Sequence, residues 1–226
     1  MEEKKLYKIV EEFARTEFGC GTVKQQVGAQ LGKVDVIGAR EIHGDLGTHT
    51  EIIAFEVKEE HAAFLSAIGQ ARAYSIYAHK CYLAYKKRNS NAFTFEEIDI
   101  ASQLGVGLIE IRGNGCKVIS TSAAYSPRDS YTLAILNKIG LFRCTLCHAT
   151  YSKNDVMDIN PKEINLDKAP PYAGQLKKAI KNKKNAAYYL FQMYLQRDDD
   201  ERKYVYDRRY ICKDCVSIFG SLVHLE

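Results

Sequence analysis

Apolar and polar positions in the first half of the chain follow a pattern that predicts a mixed α/β domain. Leu6, Ile9 and Val10 recur at helical spacing, so we expect a helix over residues 4–17. Residues 43–50, rich in glycine and histidine, predict a loop. The remaining predicted elements are strands at 22–30, 33–38 and 51–58, a helix at 61–78, a strand at 80–86, a helix at 95–104 and strands at 106–112 and 116–121. This order predicts a mixed β-sheet core flanked by helices.

The pattern changes in the second half of the chain. Residues 124–130 have the composition of a linker, and a long helical pattern covers residues 173–197. We therefore expect one domain at 1–123 and a second, mainly helical module at 131–226.

The composition is that of a globular protein. Of 226 residues, 46% are hydrophobic and 27% are charged, which excludes a disordered chain, a collagen and a coiled coil. The net charge of +4 permits a nucleic-acid-binding face without demanding one. Neither an apolar run long enough to cross a membrane nor a signal-peptide pattern is evident, so we expect a cytoplasmic protein.

Charged side chains interrupt the most apolar strand, residues 51–58. Glu56 and Lys58 stand at its end, and Asp35 lies between two valines of the preceding apolar strand. Two strands joined by a short connection bring Asp35 beside Glu56. Carboxylates at close range repel each other, and a divalent cation such as Mg²⁺ or Mn²⁺ removes that repulsion. A lysine beside such a cation can assist an attacking water or stabilise charge on a phosphoryl oxygen.

Asp35 followed by Glu56-Val57-Lys58, together with the order of elements, resembles the PD-(D/E)XK nuclease superfamily, which has the restriction-endonuclease-like fold. The resemblance covers about residues 5–112 and departs from the family pattern where Val34 replaces the proline before the aspartate. It implies Mg²⁺-dependent phosphodiester hydrolysis, with the metal held by Asp35, Glu56 and the Val57 carbonyl. Lys58 would assist the attacking water or the transition state.

Further site residues follow from the same resemblance. Gln70 occupies the place of a glutamine that many members carry in the helix after the lysine strand, where it would orient the water or Lys58. Tyr74 lies one helical turn further, on the same face. A glutamate of the first helix joins the site in some branches, and of Glu11 and Glu12 we favour Glu12.

Other functions remain open at this level. Glu56 could instead form a structural ion pair with Lys58 or Arg72. The chain could be a non-catalytic zinc protein that binds nucleic acid on a nuclease scaffold, or an RNA nuclease or exonuclease that uses the same site. Our first expectation is a DNA endonuclease of the restriction or repair type, and a homodimer would allow both strands to be cut.

Four of the seven cysteines form two Cys-x-x-Cys pairs, Cys144 with Cys147 and Cys212 with Cys215. Two such turns supply the four thiolates of a tetrahedral Zn²⁺ site. Four thiolates leave no position for water, so we expect structural zinc. The alternatives are a redox dithiol or isolated buried thiols.

Basic residues cluster near the end of the chain and are typical of contacts to nucleic-acid phosphates. A lysine-rich helix also occurs as an ordinary solvated face, and the acidic run at 198–201 weakens the charge of the region. We expect contacts to double-stranded DNA from Lys177, Lys181, Lys184, Arg208 and Arg209.

Overall fold

The computed structural model describes residues 3–29, 32–44, 47–59, 62–86, 93–159 and 209–222. The chain forms two compact units, Met1–Ile139 and Gly140–Glu226. The predicted domain limits, 1–123 and 131–226, remain a prediction.

The first unit is a six-stranded mixed sheet flanked by helices, which confirms the predicted fold class. The strands stand in the order β1-β2-β3-β4-β5-β6, and β3, β4 and β5 run parallel while the other neighbours are antiparallel. The elements are α1 (Glu3–Thr16), β1 (Thr22–Ala29), β2 (Gly32–Gly44), β3 (Gly47–Glu59), α2 (Phe64–Ala73), β4 (Lys80–Lys86), α3 (Phe95–Leu104), β5 (Gly107–Arg112), β6 (Gly115–Ser120) and α4 (Asp129–Lys138).

Each face of the sheet carries its own hydrophobic core. On one face the apolar stripe of α1, including Leu6 and Val10, packs on Phe55 and Val57 of β3. On the other face, apolar residues of α2 and α3 cover Leu83 of β4 and its neighbours. A strand covered on both faces reads as a continuous apolar run, which is why β3 is the most apolar strand of the chain.

Two predicted boundaries are wrong. The loop expected at 43–50 is mostly strand, because β2 and β3 continue as one antiparallel hairpin whose ladder runs to the Gly44–Gly47 pair. The polar residues of this stretch pair through their backbones, so the loop-like composition misled the prediction. The helix expected at 61–78 is shorter: α2 ends at Ala73, and a one-turn 3₁₀ helix, Tyr74–Ile76, follows.

The second unit contains β7 (Leu141–Arg143), β8 (Thr150–Ser152), β9 (Val156–Ile159), β10 (Arg209–Cys212) and α5 (Lys213–Leu222). β7 pairs with β8 and β9 pairs with β10, both antiparallel. A small core joins these elements through Phe142, Met157, Ile211 and Val216. The helix predicted over 173–197 lies outside the described residues.

α4 belongs to the first unit. Tyr131 of this helix stacks edge-on against Tyr77, with ring centroids 5.9 Å apart. The segment predicted as a linker, residues 124–130, is therefore irregular up to residue 128, and α4 begins at the next residue. In the part of the chain that the structure describes, no helix is both long and apolar enough to cross a membrane.

Candidate metal-binding and catalytic site

The candidate site lies where β2 separates from β3. The ladder between these strands ends at the Val36–Phe55 pair, so Asp35 and Glu56 stand just beyond it. In place of a ladder bond, the Val57 N–H donates to the Asp35 carboxylate, with 2.9 Å between N and Oδ2. On the other side of β2, Gln26 of β1 has a positive φ of 51°. The ladder between β1 and β2 is interrupted there, because Gln26 and Asp35 do not pair. Asp35 therefore stands at an interruption of both ladders.

Glu56 is an almost completely buried carboxylate, with 2% of its surface exposed. Lys58 forms an ion pair with one of its oxygens, and the Tyr74 hydroxyl donates a hydrogen bond to the other. The Tyr74 hydroxyl also lies 2.9 Å from the carbonyl oxygen of Lys33 on the departing strand β2. These contacts hold Glu56 at the point where the strands separate.

Electrostatics link Glu56 to Asp35. Burial raises the pKa of Glu56, and the charge of Asp35 raises it further, while hydrogen bonds from Lys58 and Tyr74 oppose the rise. Since Asp35 accepts the N–H of Val57, the residue after Glu56, the structure brings together the two carboxylates that the sequence pattern pairs. Burial and the neighbouring Glu56 also raise the pKa of Tyr74, so its hydroxyl keeps its proton and remains a donor.

A second tyrosine reaches the site from α1. Tyr7 is 4% exposed, and its hydroxyl donates to Oδ1 of Asp35 across 3.2 Å. Each of the four carboxylate oxygens of Asp35 and Glu56 thus faces at least one protein donor. Sequence reasoning missed Tyr7, because its spacing in α1 is that of a core residue.

Two residues expected from the family resemblance have exposed side chains. Gln70 of α2 is exposed, and Tyr74 is the residue following α2 that contacts Glu56. Glu12 of α1 is also exposed, whereas Glu11 accepts hydrogen bonds from Arg15 and from Gln25 of β1. Roles for Gln70 and Glu12 remain predictions.

A structural ion pair of Glu56 with Lys58 or Arg72 is the alternative interpretation of these charges. Lys58 does pair with Glu56. Arg72, the other candidate, instead stacks on the ring of Tyr125, with its guanidinium carbon 4.6 Å from the ring centroid. A buried Lys–Glu pair is weak evidence for a stabilising role, because desolvation offsets much of the attraction.

The donor chemistry at this point fits a hard divalent cation. Two carboxylates within electrostatic reach of each other, one of them buried, offer the oxygen ligands that Mg²⁺ and Mn²⁺ prefer. The expected third ligand, the carbonyl of Val57, lies between Glu56 and Lys58 in the sequence, and the N–H of the same residue donates to Asp35.

In the second unit, the four cysteines of the two pairs form one cluster that could bind a metal such as zinc. The Sγ atoms of Cys144, Cys147, Cys212 and Cys215 all lie within 4.8 Å of one another. Cys144 and Cys147 flank the turn between β7 and β8, and Cys212 ends β10 where α5 begins. The Thr145 N–H donates to the Tyr210 carbonyl across 2.8 Å, which ties the two turns together.

Hydrogen bonds to sulfur support this cluster. The N–H groups of Leu146 and Cys212 point at Cys144 Sγ, at 3.4 and 3.3 Å, and the Cys215 N–H points at Cys212 Sγ at 3.4 Å. The Tyr151 hydroxyl lies 3.6 Å from the exposed Cys147 sulfur. Donors directed at sulfur stabilise thiolates, the form in which cysteine binds metal.

The remaining three cysteines belong to the first unit. Burial raises the pKa of Cys20 to about 11 and those of Cys81 and Cys116 to about 12. Their thiols therefore stay protonated at neutral pH and are poor nucleophiles.

Four of the five predicted nucleic-acid contacts lie outside the described residues: Lys177, Lys181, Lys184 and Arg208. Arg209 is the first residue of β10.

No family model and no curated protein matches this chain. Among solved structures, a protein of unknown function from Silicibacter pomeroyi is 17% identical over 62% of this chain and 84% of its own, with a TM-score of 0.43. SfsA of Pyrococcus furiosus, solved in complex with Ca²⁺, is 13% identical over 53% of this chain and 64% of its own, with a TM-score of 0.30.

Proposed function

We propose that the protein is a Mg²⁺-dependent or Mn²⁺-dependent nuclease, and that it acts on DNA as an endonuclease. The observation that carries this proposal is the pairing of buried Glu56 with Asp35 at the separation of β2 from β3, with Lys58 on the Glu56 carboxylate. Burying the Glu56 carboxylate beside a second carboxylate costs free energy, which a function as cation ligands explains.

In the proposed site, Asp35, Glu56 and the Val57 carbonyl hold the cation. When bound, the cation supplies Lewis-acid chemistry: it offsets charge on a phosphoryl oxygen and makes a nearby water more acidic. The protein groups have separate tasks. Tyr74 fixes the Glu56 carboxylate through its hydroxyl, and the Val57 N–H fixes Asp35.

Lys58 supplies the positive charge of the site. Its side chain is 23% exposed, whereas that of its partner Glu56 is 3% exposed, so the ammonium group has access to solvent and to a bound phosphodiester. From this position Lys58 would orient the attacking water and stabilise the charge that develops on the phosphoryl oxygens.

For the cysteine cluster we propose a structural Zn²⁺ ion bound by Cys144, Cys147, Cys212 and Cys215. A complete set of thiolates and the N–H groups directed at sulfur support this assignment. The zinc would fix the turn after β7 to the start of α5, and the second unit, with its basic residues, would contact the DNA backbone.

Incubation with linear, circular and single-stranded DNA and with RNA, each in Mg²⁺, Mn²⁺ or EDTA, tests the proposal. Lys58→Met serves as the inactive variant, because methionine fills similar space without charge. We expect metal-dependent cutting of double-stranded DNA, including circles, by the wild type alone. Cutting of RNA instead of DNA would contradict the DNA assignment, and cutting only from free ends would contradict the endonuclease assignment. Equal cutting by Lys58→Met would refute the site.

A non-catalytic nucleic-acid-binding protein is the second candidate. The Lys58–Glu56 ion pair favours it, because the pair neutralises the buried carboxylate without any cation. Nucleic-acid binding without cutting, unchanged by Mg²⁺ or by Asp35→Ala, would establish this alternative.

A further inference from the structure

The contribution of α1 to the carboxylate site is a hydroxyl group rather than an acid. The Tyr7 hydroxyl donates to Asp35 Oδ1 across 3.2 Å, and its side chain is 4% exposed. Glu11, one helical turn further, is occupied by Arg15 and Gln25, and Glu12 is exposed.

Tyr7 completes a shell of donors around the two carboxylates. Tyr7 and the Val57 N–H serve the oxygens of Asp35, while Lys58 and Tyr74 serve those of Glu56. Asp35 has no ladder pairing to β3, so these two donors determine the orientation of its carboxylate. Each oxygen retains a second lone pair for a cation.

We propose that Tyr7 is a positioning residue that orients Asp35 for cation binding. The inference rests on the proposed function, because it takes Asp35 and Glu56 as the ligands. Groups that hydrogen-bond a metal ligand fix its orientation, and their loss commonly costs about 10–100-fold in metal affinity. Tyr7 is anchored in the core between α1 and the sheet, so its hydroxyl is held rigidly.

Binding of Tb³⁺ measures this effect without any activity assay. The chain has 15 tyrosines and no tryptophan, so luminescence of bound Tb³⁺ is excited through tyrosine alone. Mg²⁺ displaces the Tb³⁺, and the Mg²⁺ concentration at half displacement reports the affinity of the site. Asp35→Ala identifies the signal that belongs to the site.

The variants are Tyr7→Phe and, as the matched control, Tyr125→Phe. Tyr125 donates its hydroxyl to the Leu104 carbonyl, so the control loses a tyrosine hydrogen bond that serves no carboxylate. Because removal of the Tyr7 hydroxyl also removes part of the Tb³⁺ excitation, affinities are compared through the Mg²⁺ midpoint and not through intensity. Thermal unfolding in EDTA verifies that both variants are folded at the temperature of the titration.

We expect Mg²⁺ affinity to fall about tenfold in Tyr7→Phe and to stay unchanged in Tyr125→Phe. Equal affinity in the wild type and in Tyr7→Phe, with the Asp35-dependent signal present, would overturn the role of Tyr7 alone. Absence of an Asp35-dependent signal in the wild type would overturn the proposed metal site and this inference together.

Discussion

The hydroxyl of Tyr74, the residue that follows α2, donates a hydrogen bond to Glu56, a carboxylate buried in β3. Gln70, one helical turn earlier in α2, is exposed to solvent. A tyrosine hydroxyl therefore orients Glu56, while the side chain of Gln70, the glutamine expected from the family resemblance, is exposed.

Tyr74→Phe should lower the rate of metal-dependent cleavage by about tenfold or more, because Glu56 loses the donor that orients it. Gln70→Ala should have the smaller effect, since its side chain contacts solvent. The measurement is single-turnover cleavage of a labelled DNA duplex at saturating enzyme. A larger loss in Gln70→Ala than in Tyr74→Phe would show that Gln70 acts in the site after all.

The buried carboxylate Glu56 should make stability depend on pH. Burial raises its pKa in the folded state above the ordinary value of 4.5, so between these two values the folded protein binds more protons than the unfolded chain. The free energy of unfolding in EDTA should therefore contain a contribution that is present below pH 4.5 and declines as pH rises through the folded-state pKa.

Glu56→Gln removes this contribution, because glutamine does not titrate. Denaturant unfolding at a series of pH values in EDTA, with Glu12→Gln as the exposed control, should show a flatter pH dependence in Glu56→Gln alone. Parallel curves for the wild type and Glu56→Gln would mean that Glu56 carries no raised pKa in the folded protein.

Purified wild-type protein should contain about one zinc per chain, as expected of a single site with four thiolates. Cys144→Ser should lose most of this zinc, and its thermal unfolding should begin at lower temperature, because metal binding contributes to folding. Cys116→Ser, outside the cluster, should keep its full zinc content. Elemental analysis of the three proteins checks this, and full zinc content in Cys144→Ser would contradict the four-cysteine site.

The basic residues of the second unit should make the affinity for DNA depend on salt concentration, because each contact to a phosphate releases counterions. Replacement of Lys177, Lys181 and Lys184 by glutamine should lower the log–log salt slope by about 2–3 in magnitude if each lysine contacts one phosphate of duplex DNA. The matched control replaces Lys4, Lys5 and Lys8, three exposed lysines of α1. Titrations by fluorescence anisotropy at several salt concentrations give the slope, and an equal change in both triple variants would remove this patch as a specific contact.

Sequence patterns predicted the parts of this structure that depend on burial and on chemistry along one strand. The apolar run around Glu56 and Lys58 indicated a central strand, and the β2–β3 hairpin brought Asp35 to it. α3 has the predicted limits because Thr94 and Glu97 form a capping box at its start and Gly105 ends it with a left-handed conformation.

The tyrosines were harder to predict, for a physical reason. Tyr7 and Tyr74 are amphipathic side chains whose rings pack like core residues while only the hydroxyl reaches a carboxylate. Their spacing in the sequence predicts that the rings pack in the core, but it does not predict that the hydroxyls bond to carboxylates. Only the backbone path of β2, which leaves β3 at Asp35, determines which hydroxyl arrives there.

Cleavage of circular duplex DNA by wild-type protein and by Asp35→Ala, in Mg²⁺ and in EDTA, tests the metal-dependent nuclease site most directly. We expect cutting by the wild type in Mg²⁺ only, and none by Asp35→Ala, although the variant still binds the same DNA. Equal cutting by both proteins in Mg²⁺, or cutting by the wild type in EDTA, would contradict a metal-dependent nuclease site at Asp35 and Glu56.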